Sequence, residues 1–449
     1  MTFTRAFAVI VALISVSVSR QSDAAFGGGG QQNAVGGVVV DPSGLIRTAT
    51  TTELTEHLAA VRKAVASHVA PSVGEAGTRM ISLSKLQSAL KASEESGESI
   101  SDEMRFLAGL QRIEYVFVYP ETSDIVIAGP AEPWQVRDDA AVVGVLSGMP
   151  VMTLDDLVVA FQSVESARAE GLSCSIEPTA EGRLRLNALL KNFKLRPGQN
   201  PAALEPAMRE AFGPQPILLT GIDKQSHYAR TLVAADYQMK RIAMNLQPSM
   251  VDGLPSYLTI AKGQRHSASA NPRWWMACNY DALSRTEDKL AWKLSGQGVK
   301  TMTDNDLIDQ QGNAAAANQS DPLAKKWADA MTQHFDSLAR ARAVFGELRN
   351  CIDLSVIATL IVQEQLATRA GCDLSYLTGS VETANYAVPQ AIDPECSFVK
   401  GRSGWVVTAS GGVDVNAFDV VSNQVEDETL AAIREKTKTT ETIRWWWNG

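Results

Sequence analysis

The chain has 449 residues, of which 45% are hydrophobic and 20% are charged. This composition is typical of a globular protein with substantial cores and excludes wholesale disorder. The formal net charge is -9 and no stretch is dense in Lys and Arg, so nucleic acid is not among the expected partners.

Residues 1–25 have the three-part layout of a secretion signal. Arg5 provides the positive flank, residues 6–18 form an uncharged apolar run, and small residues follow at 22–25. Because the apolar run is too short to be a comfortable membrane span, we predict cleavage and export to the periplasm or the extracellular medium. No later stretch is long and uncharged enough to cross a bilayer. The mature protein is therefore expected to be soluble, with no membrane span.

The first half of the mature chain predicts alternating helices and strands. Residues 26–48 contain a Gly-rich leader and a first strand, and residues 49–312 form a mixed α/β region, either one body or two lobes divided near residues 195–202. Thr50 and Glu53 form a capping box before a helix with an apolar stripe. Residues 112–129 are rich in Val, Ile and Tyr around a short polar turn, which predicts a hairpin.

Four further elements follow in the same region. Thr153 caps a helix, with Asp156 as its capping partner. Residues 216–222 predict a strand that leads into a helix capped by Ser226. Segments 290–294 and 299–303 surround a Ser-Gly-Gln-Gly turn and predict a second hairpin.

The last third of the chain predicts helices and then strands. Residues 321–370 carry two apolar stripes with a break near 341–344, which predicts an antiparallel helical pair. Residues 371–449 are predicted to be β-rich, with a terminal helix near 429–436 and a Trp tail. The fold class is therefore α+β (mixed α/β), with several small helix-flanked sheets and one long helical pair.

Five cysteines (Cys174, Cys278, Cys351, Cys372 and Cys396) leave at least one thiol unpaired. Cys372 and Cys396 lie in the same loop-rich region and could close a ring. Alternatively, some or all of the five are buried free thiols. The sequence leaves the pairing open.

A weak candidate site lies on the strand-helix unit at residues 216–246. Loops at the carboxyl end of a strand, leading into a helix, are where open α/β sheets place anionic ligands. Ser226, His227, Asp236 and Lys240 are the candidate catalytic residues, and the candidate ligand-binding residues are Arg230, Trp274 and Trp275. An amphipathic helix with a capping serine and an Asp236–Lys240 pair explains the same residues without any function.

Two functions remain open from the sequence alone. The first is a non-enzymatic envelope or extracellular binding protein. The second is an exported hydrolase that uses Ser226, His227 and Asp236. Fluorophosphonate labelling or a broad hydrolase screen of the native protein, Ser226→Ala and Asp236→Asn separates them. A simpler geometric test is whether His227 lies within hydrogen-bond reach of a carboxylate inside a pocket.

No cofactor or metal is predicted. The chain contains no G-x-S-x-G, H-E-x-x-H, Walker loop or G-x-G-x-x-G. Its five histidines are scattered, and His57 and His68 lie about three turns apart along a helix, too far to share one ion.

The Trp tail at Trp445, Trp446 and Trp447 has two interpretations. Three consecutive rings cannot all face one side of a strand or helix, so at least one stays exposed unless something covers it. The tail either docks onto its own domain or binds a protein or envelope partner.

Several short strings carry a resemblance to a known family. They lie at residues 116–122, 127–131, 174–179, 235–241 and 273–275. Together they resemble a family of exported planctomycete proteins catalogued as domain of unknown function 1598. The resemblance spans most of the mature chain. It implies export and a bacterial cell-envelope setting, and it implies no activity.

Overall fold

The computed structural model describes residues 34–65, 76–192, 201–262, 271–308, 314–316, 321–395, 399–400, 405–406, 410–438 and 444–449. The predicted secretion signal, the glycines of the leader and Cys396 lie outside these residues. Most of the predicted lobe boundary near 195–202 also lies outside them.

Helices occur along the whole described chain. They are α1 (Thr51–Ala64), α2 (Leu83–Ser96), α3 (Asp102–Arg105), α4 (Leu154–Glu170), α5 (Ala180–Asn192), α6 (Glu205–Phe212), α7 (His227–Ala243), α8 (Tyr257–Ala261), α9 (Pro322–Gln333), α10 (Phe335–Ala341), α11 (Ala343–Gln363), α12 (Leu366–Ala370), α13 (Ser375–Gly379), α14 (Ala417–Ser422) and α15 (Thr429–Thr437).

The strands are short and are interleaved with the helices. They are β1 (Val38–Val40), β2 (Leu45–Thr48), β3 (Gly77–Ser82), β4 (Tyr115–Tyr119), β5 (Asp124–Ala131), β6 (Trp134–Val136), β7 (Val142–Gly144), β8 (Leu172–Ile176), β9 (Gln215–Thr220), β10 (Asn271–Asn279), β11 (Leu283–Arg285), β12 (Ala291–Lys293), β13 (Gly298–Ile308), β14 (Ala314–Ala316), β15 (Ala391–Ile392), β16 (Val399–Lys400), β17 (Trp405–Val406), β18 (Ser410–Val415), β19 (Gln424–Glu426) and β20 (Trp446–Asn448).

Helix starts follow the capping signals of the sequence. Thr50 and Glu53 form the reciprocal capping box of α1. Thr153 accepts a hydrogen bond from the amide of Asp156 at the start of α4, and Ser226 caps α7. These side chains satisfy amide groups that the first helical turn leaves without intrahelical partners. The three predicted helix starts are confirmed.

Two large mixed sheets organise the fold, where small sheets were expected. One has nine strands in the order β1-β2-β15-β9-β8-β18-β10-β13-β14, and the other has seven in the order β19-β11-β12-β4-β5-β3-β20. The predicted hairpin is the β4–β5 pair of the second sheet. The α+β class is confirmed.

The predicted hairpin around residues 295–298 is wrong. β12 pairs with β4 and β11 in the seven-stranded sheet, whereas β13 pairs with β10 in the nine-stranded sheet. The two arms therefore enter different sheets. Each arm finds a partner elsewhere in the chain, and the glycine-containing turn becomes the connection between the two sheets.

The helical region breaks at three places, one of them at Glu364 and Gln365 between α11 and α12. Arg342 separates α10 from α11, which confirms the predicted break, and His334 adds a second break between α9 and α10. α11 is buried around nearly its whole circumference, with 18 of its 21 residues buried. Among these is Asp353, which accepts two hydrogen bonds from Arg112 and one from Tyr280. A charged residue is tolerated there because its oxygens are paired.

The Trp tail packs on its own chain. β20 pairs antiparallel with β3, and Trp446 is only 1% exposed. The Arg79 guanidinium lies 4.2 Å from the centre of the Trp446 ring, a cation–π distance. A partner that binds this tail stays a prediction.

Residues 371–449 contain more helix than predicted, since α13 and α14 join the expected terminal helix α15. Cys174, Cys278, Cys351 and Cys372 are free thiols. Among the described residues, no helix combines the length and the apolar character needed to span a membrane.

Candidate functional site

Three helices begin at the edge of one cavity of about 490 Å³. Its lining includes residues from the first turns of α4, α7 and α11. We call this space the three-helix cavity. Its volume lies within the range of roughly 300–1,000 Å³ that is usual for small-molecule sites.

The cavity walls combine apolar side chains with a few titratable ones. The apolar part includes Leu54 and Val61 of α1, Phe106, Val142, Val151 and Val344. The titratable part includes Asp155 and Asp156 of α4, His227 of α7 and Glu347 of α11. Small-molecule sites usually have such walls, in which a few polar groups orient the ligand.

His227 and Asp156 form the central polar pair of the cavity. The imidazole Nδ1 lies 3.0 Å and 3.1 Å from the two carboxylate oxygens of Asp156. Thr153 donates a hydrogen bond of 2.8 Å to the same carboxylate and so fixes its orientation. Burial lowers the pKa of His227, but Asp156 outweighs burial and raises that pKa to about 9. The imidazole is therefore positively charged at neutral pH.

Tyr386 packs beside this pair. Its ring centre lies 5.7 Å from that of His227, and its amide donates a hydrogen bond to the carbonyl of Gln225. Tyr386 belongs to the segment between α13 and β15, which therefore contributes to the wall of the cavity.

Glu347 is the carboxyl group of the lining that has no partner among the described residues. It lines the cavity, and among the described residues nothing forms a hydrogen bond or an ion pair with its carboxyl. Burial raises its pKa from 4.5 to about 7, although the positive His227 opposes this shift. Glu347 therefore holds a proton about half of the time at neutral pH.

Asp155 differs from Glu347 because it has a partner. Its Oδ2 accepts a hydrogen bond from the amide of Ala384. Burial raises its pKa, and the neighbouring Asp156 adds to this effect.

Two non-glycine residues of the lining have unusual backbone angles. Ala140 has φ +66° and Met250 has φ +64°, and both line the cavity. This left-handed region costs roughly 1–2 kcal/mol for a residue with a side chain. Met250 is also 67% exposed, although large apolar side chains are usually buried.

Of the residues predicted from the sequence, the structure places His227 in the cavity. Ser226 is buried beneath it. The Ser226 hydroxyl donates to the carbonyl of Asp223 and accepts from the amide of Ala229. Arg230 is also buried, and its guanidinium lies 3.3 Å from the carbonyl of Val38.

Asp236 and Lys240 lie farther along α7. Lys240 Nζ is 2.8 Å from Asp236 Oδ2 and also donates to the carbonyl of Ile176 in β8. Burial raises the pKa of Asp236 despite this partner. Because nine residues of helix rise about 13.5 Å, Asp236 is too far from His227 to orient it. The predicted intrahelical pair is present, and it faces the nine-stranded sheet.

Trp274 and Trp275 lie on β10 and do not line the cavity. Trp274 is fully buried between Tyr257 and Trp327, with ring centres 4.9 Å apart in both pairs. Trp275 lies against the guanidinium of Arg273, 5.6 Å from the ring centre. These rings pack the nine-stranded sheet against helices.

Sequence analysis missed the carboxyl groups that line the cavity with His227. Asp156 was recognised only as a capping residue, and Glu347 was not recognised at all. The geometric test stated for His227 is nevertheless met, because a carboxylate lies within hydrogen-bond reach inside a cavity. In the part of the chain that the structure describes, no group of three or more His, Cys, Asp or Glu side chains is arranged to hold a metal ion.

Residues 174–257 match the model of a family described as "Protein of unknown function (DUF1598)". The matched segment runs from β8 into α8 and supplies His227, Gln238, Gln247 and Met250 to the cavity. Asp156 and Glu347 lie outside it. Neither the comparison with curated proteins nor the comparison with solved structures found a match. The chain is thus similar, over this segment, to an uncharacterised domain family.

Proposed function

We propose that this chain is an exported, non-enzymatic binding protein that holds a small organic molecule in the three-helix cavity. The resemblance seen in the sequence adds a bacterial, planctomycete cell-envelope setting to the proposal. The observation that carries the binding function is the carboxyl of Glu347, which faces a cavity of ligand size without a partner. A polar group left in this way is costly to the protein alone, and a bound ligand would satisfy it.

The backbone strain of the cavity supports the same proposal. Ala140 and Met250 keep left-handed angles at the lining. Residues held in such angles cluster at binding and catalytic sites, where the surrounding structure maintains them. The exposed thioether of Met250 supplies a flexible apolar surface of the kind that adapts to ligands.

A library screen by thermal shift tests the binding function. Native protein is compared with Ala341→Trp, which places an indole at an exposed position of the lining. Ala431→Trp is the matched control, because Ala431 is exposed on α15 and outside the lining. We expect compounds that raise the melting temperature of the native protein and of Ala431→Trp, but not of Ala341→Trp. Equal shifts in all three proteins contradict binding in the cavity.

Export is tested on the native polypeptide. We expect its N-terminus near residue 26 and its recovery outside the cytosol. A native protein that begins at Met1 and remains inside the cell contradicts this part of the proposal.

An enzyme is the second candidate, and the His227–Asp156 pair is the observation that favours it. A carboxylate that orients an imidazole, beside an acid whose pKa is close to neutral, is an arrangement used for general acid–base catalysis. The Ser226 hydroxyl already caps α7, so acid–base chemistry would depend on His227 and Glu347 instead of on a serine nucleophile.

Three variants distinguish these chemistries in a broad hydrolase screen. Acid–base catalysis predicts that His227→Gln and Glu347→Gln lose activity while Ser226→Ala retains it. The serine hydrolase predicted from the sequence requires loss in Ser226→Ala together with loss of fluorophosphonate labelling. Activity that survives all three substitutions excludes both forms of the enzyme candidate.

A further inference from the structure

The charges around Glu347 define the kind of ligand that fits the cavity. Four carboxyl groups belong to the lining: Asp139, Asp155, Asp156 and Glu347. Three of them already have donors. Asp139 pairs with Arg137, Asp156 pairs with His227, and Asp155 accepts the amide of Ala384. Glu347 is the fourth.

The positive groups of the lining are engaged with other partners. Arg105 pairs with Asp102 at 2.9 Å. Arg342 donates to the carbonyl of Pro248 and to the side chain of Gln238. His227 faces Asp156. Burial lowers the pKa of His57, which leaves this imidazole neutral at pH 7. Arg342 keeps its charge beside neutral acceptors, whereas Glu347 is the carboxyl group of the lining that has no donor among the described residues.

The starts of α4 and α7 do not reverse this balance, whereas the start of α11, at Arg342, has no side-chain cap. The beginning of a helix carries a partial positive charge that favours anions. In α4 this end is already occupied by Asp155 and Asp156, and in α7 it is capped by Ser226. An anionic ligand beside Glu347 would also lie near Asp139 and Asp156, whose charges already raise the pKa of Glu347.

We propose that the ligand of the three-helix cavity is an organic amine, whose ammonium group binds the Glu347 carboxylate while its apolar part packs on Val61, Phe106 and Val151. This inference rests on the proposed binding function. A carboxylate satisfies an ammonium group by charge and by accepting its hydrogen bonds. The apolar walls favour an alkyl or aryl substituent over a small hydrophilic amine.

A proton should leave the protein when such a ligand binds. Free Glu347 is mostly protonated at pH 6, since its pKa is about 7. A neighbouring ammonium group favours the ionised carboxylate and lowers this pKa. Binding of an amine at pH 6 therefore releases close to one proton, whereas binding of an anion leaves Glu347 protonated and releases none. The charged and titratable groups near Glu347 that influence its protonation are His227, Asp139, Asp155, Asp156 and Arg137.

Three probes of similar shape test the proposal: 2-phenylethylamine, 2-phenylethanol and 3-phenylpropionate. Their dissociation constants are measured by NMR titration of the purified native protein at pH 6, and the proton balance is measured in a weakly buffered solution. We expect the amine to bind at least tenfold more tightly than the alcohol, with proton release. The carboxylate should bind most weakly.

Glu347→Gln is the decisive variant because it keeps the size of the side chain and removes the charge. We expect it to lose the preference for the amine and the proton release while it retains binding of the alcohol. Glu170→Gln, at an exposed position at the end of α4, is the matched control and should behave like the native protein.

The outcomes separate this inference from the proposed function. If the alcohol or the carboxylate binds at least as tightly as the amine, and Ala341→Trp blocks that binding, the amine proposal is wrong and the binding function stands. An amine affinity that is unchanged in Glu347→Gln also overturns the amine proposal. If neither the three probes nor the compound library binds the native protein, both proposals fail.

Discussion

The His227–Asp156 pair predicts a pH-dependent contribution to stability that the substitution Asp156→Asn removes. A rise in the pKa of His227 from 6.5 to about 9 corresponds to about 3 kcal/mol of folding free energy, at about 1.4 kcal/mol for each tenfold change. The imidazole is mostly buried, with 19% of its side chain exposed, so solvent reduces this value only moderately.

The direction follows from the sign of the pKa change. Because the pKa of His227 is higher in the folded protein, the folded state binds the proton more tightly than the unfolded state does. The contribution is complete below pH 6.5 and is lost as the pH rises through about 9. We therefore expect Asp156→Asn to lower the free energy of unfolding by about 3 kcal/mol at pH 6, and by much less at pH 10.

Two measurements check this expectation. Urea unfolding at pH 6 and pH 10 gives the stability difference, and an NMR titration of the imidazole carbons gives the pKa, with His227→Gln to assign the signal. Asp138→Asn is the matched control, because Asp138 is 96% exposed and pairs with Arg62 at the surface. A His227 pKa near 6.5 in the native protein, or the same pKa in Asp156→Asn, refutes the reasoning.

Three further predictions concern other buried groups. Glu347→Gln should raise the free energy of unfolding by about 2–3 kcal/mol at pH 8 and hardly change it at pH 4.5. The reason is that the cost of ionising Glu347 in the folded protein grows as the pH rises from 4.5 through about 7. An equal gain in stability at both pH values, measured by urea unfolding, contradicts this. Lys240→Met should lower the free energy of unfolding by about 3–5 kcal/mol because it leaves Asp236 buried without its partner. The double variant Asp236→Leu/Lys240→Met should lower it much less. A double variant as unstable as the single one argues against the pairing. Trp446→Ala should lower the free energy of unfolding, measured by thermal or urea unfolding, by about 3–5 kcal/mol because the ring is fully buried against Arg79. The control Trp447→Ala should cost less because Trp447 is only partly buried.

Local elements could be predicted from the sequence because their signals lie within a few residues. The capping residues Thr50, Thr153 and Ser226 each mark a helix start that the structure confirms. The alternation at residues 112–129 predicted the β4–β5 hairpin for the same reason. These signals depend on backbone groups satisfied nearby, so distant parts of the chain do not change them.

Pairing between distant strands could not be predicted in this way. The strands on either side of Ser295–Gly298 resemble a hairpin locally, yet each pairs with a strand from another part of the chain. The turn signal carries no information about these competing partners. The local sequence is compatible both with a hairpin and with pairing to distant strands. Tertiary contacts therefore decide between these two structures.

The site was predicted only in part, for a related reason. His227 was singled out because it follows a strand and begins a helix. Its neighbours in the cavity are Asp156, 71 positions earlier, and Glu347, which lies on a helix that the apolar sequence predicts as buried. In the sequence, a carboxylate within an apolar helix gives no sign that it lines a cavity. Only the fold shows this.

The position of β20 has a consequence for how this protein is made. β3 is synthesised early and pairs with β5 on one side, and in the part of the chain that the structure describes its other edge pairs with Trp446–Asn448. During translation or translocation, that edge waits for nearly the whole remaining polypeptide, and its unpaired amide and carbonyl groups are a template for aggregation in the meantime. We therefore expect a short peptide with the sequence of β20, supplied during refolding, to improve the recovery of folded protein.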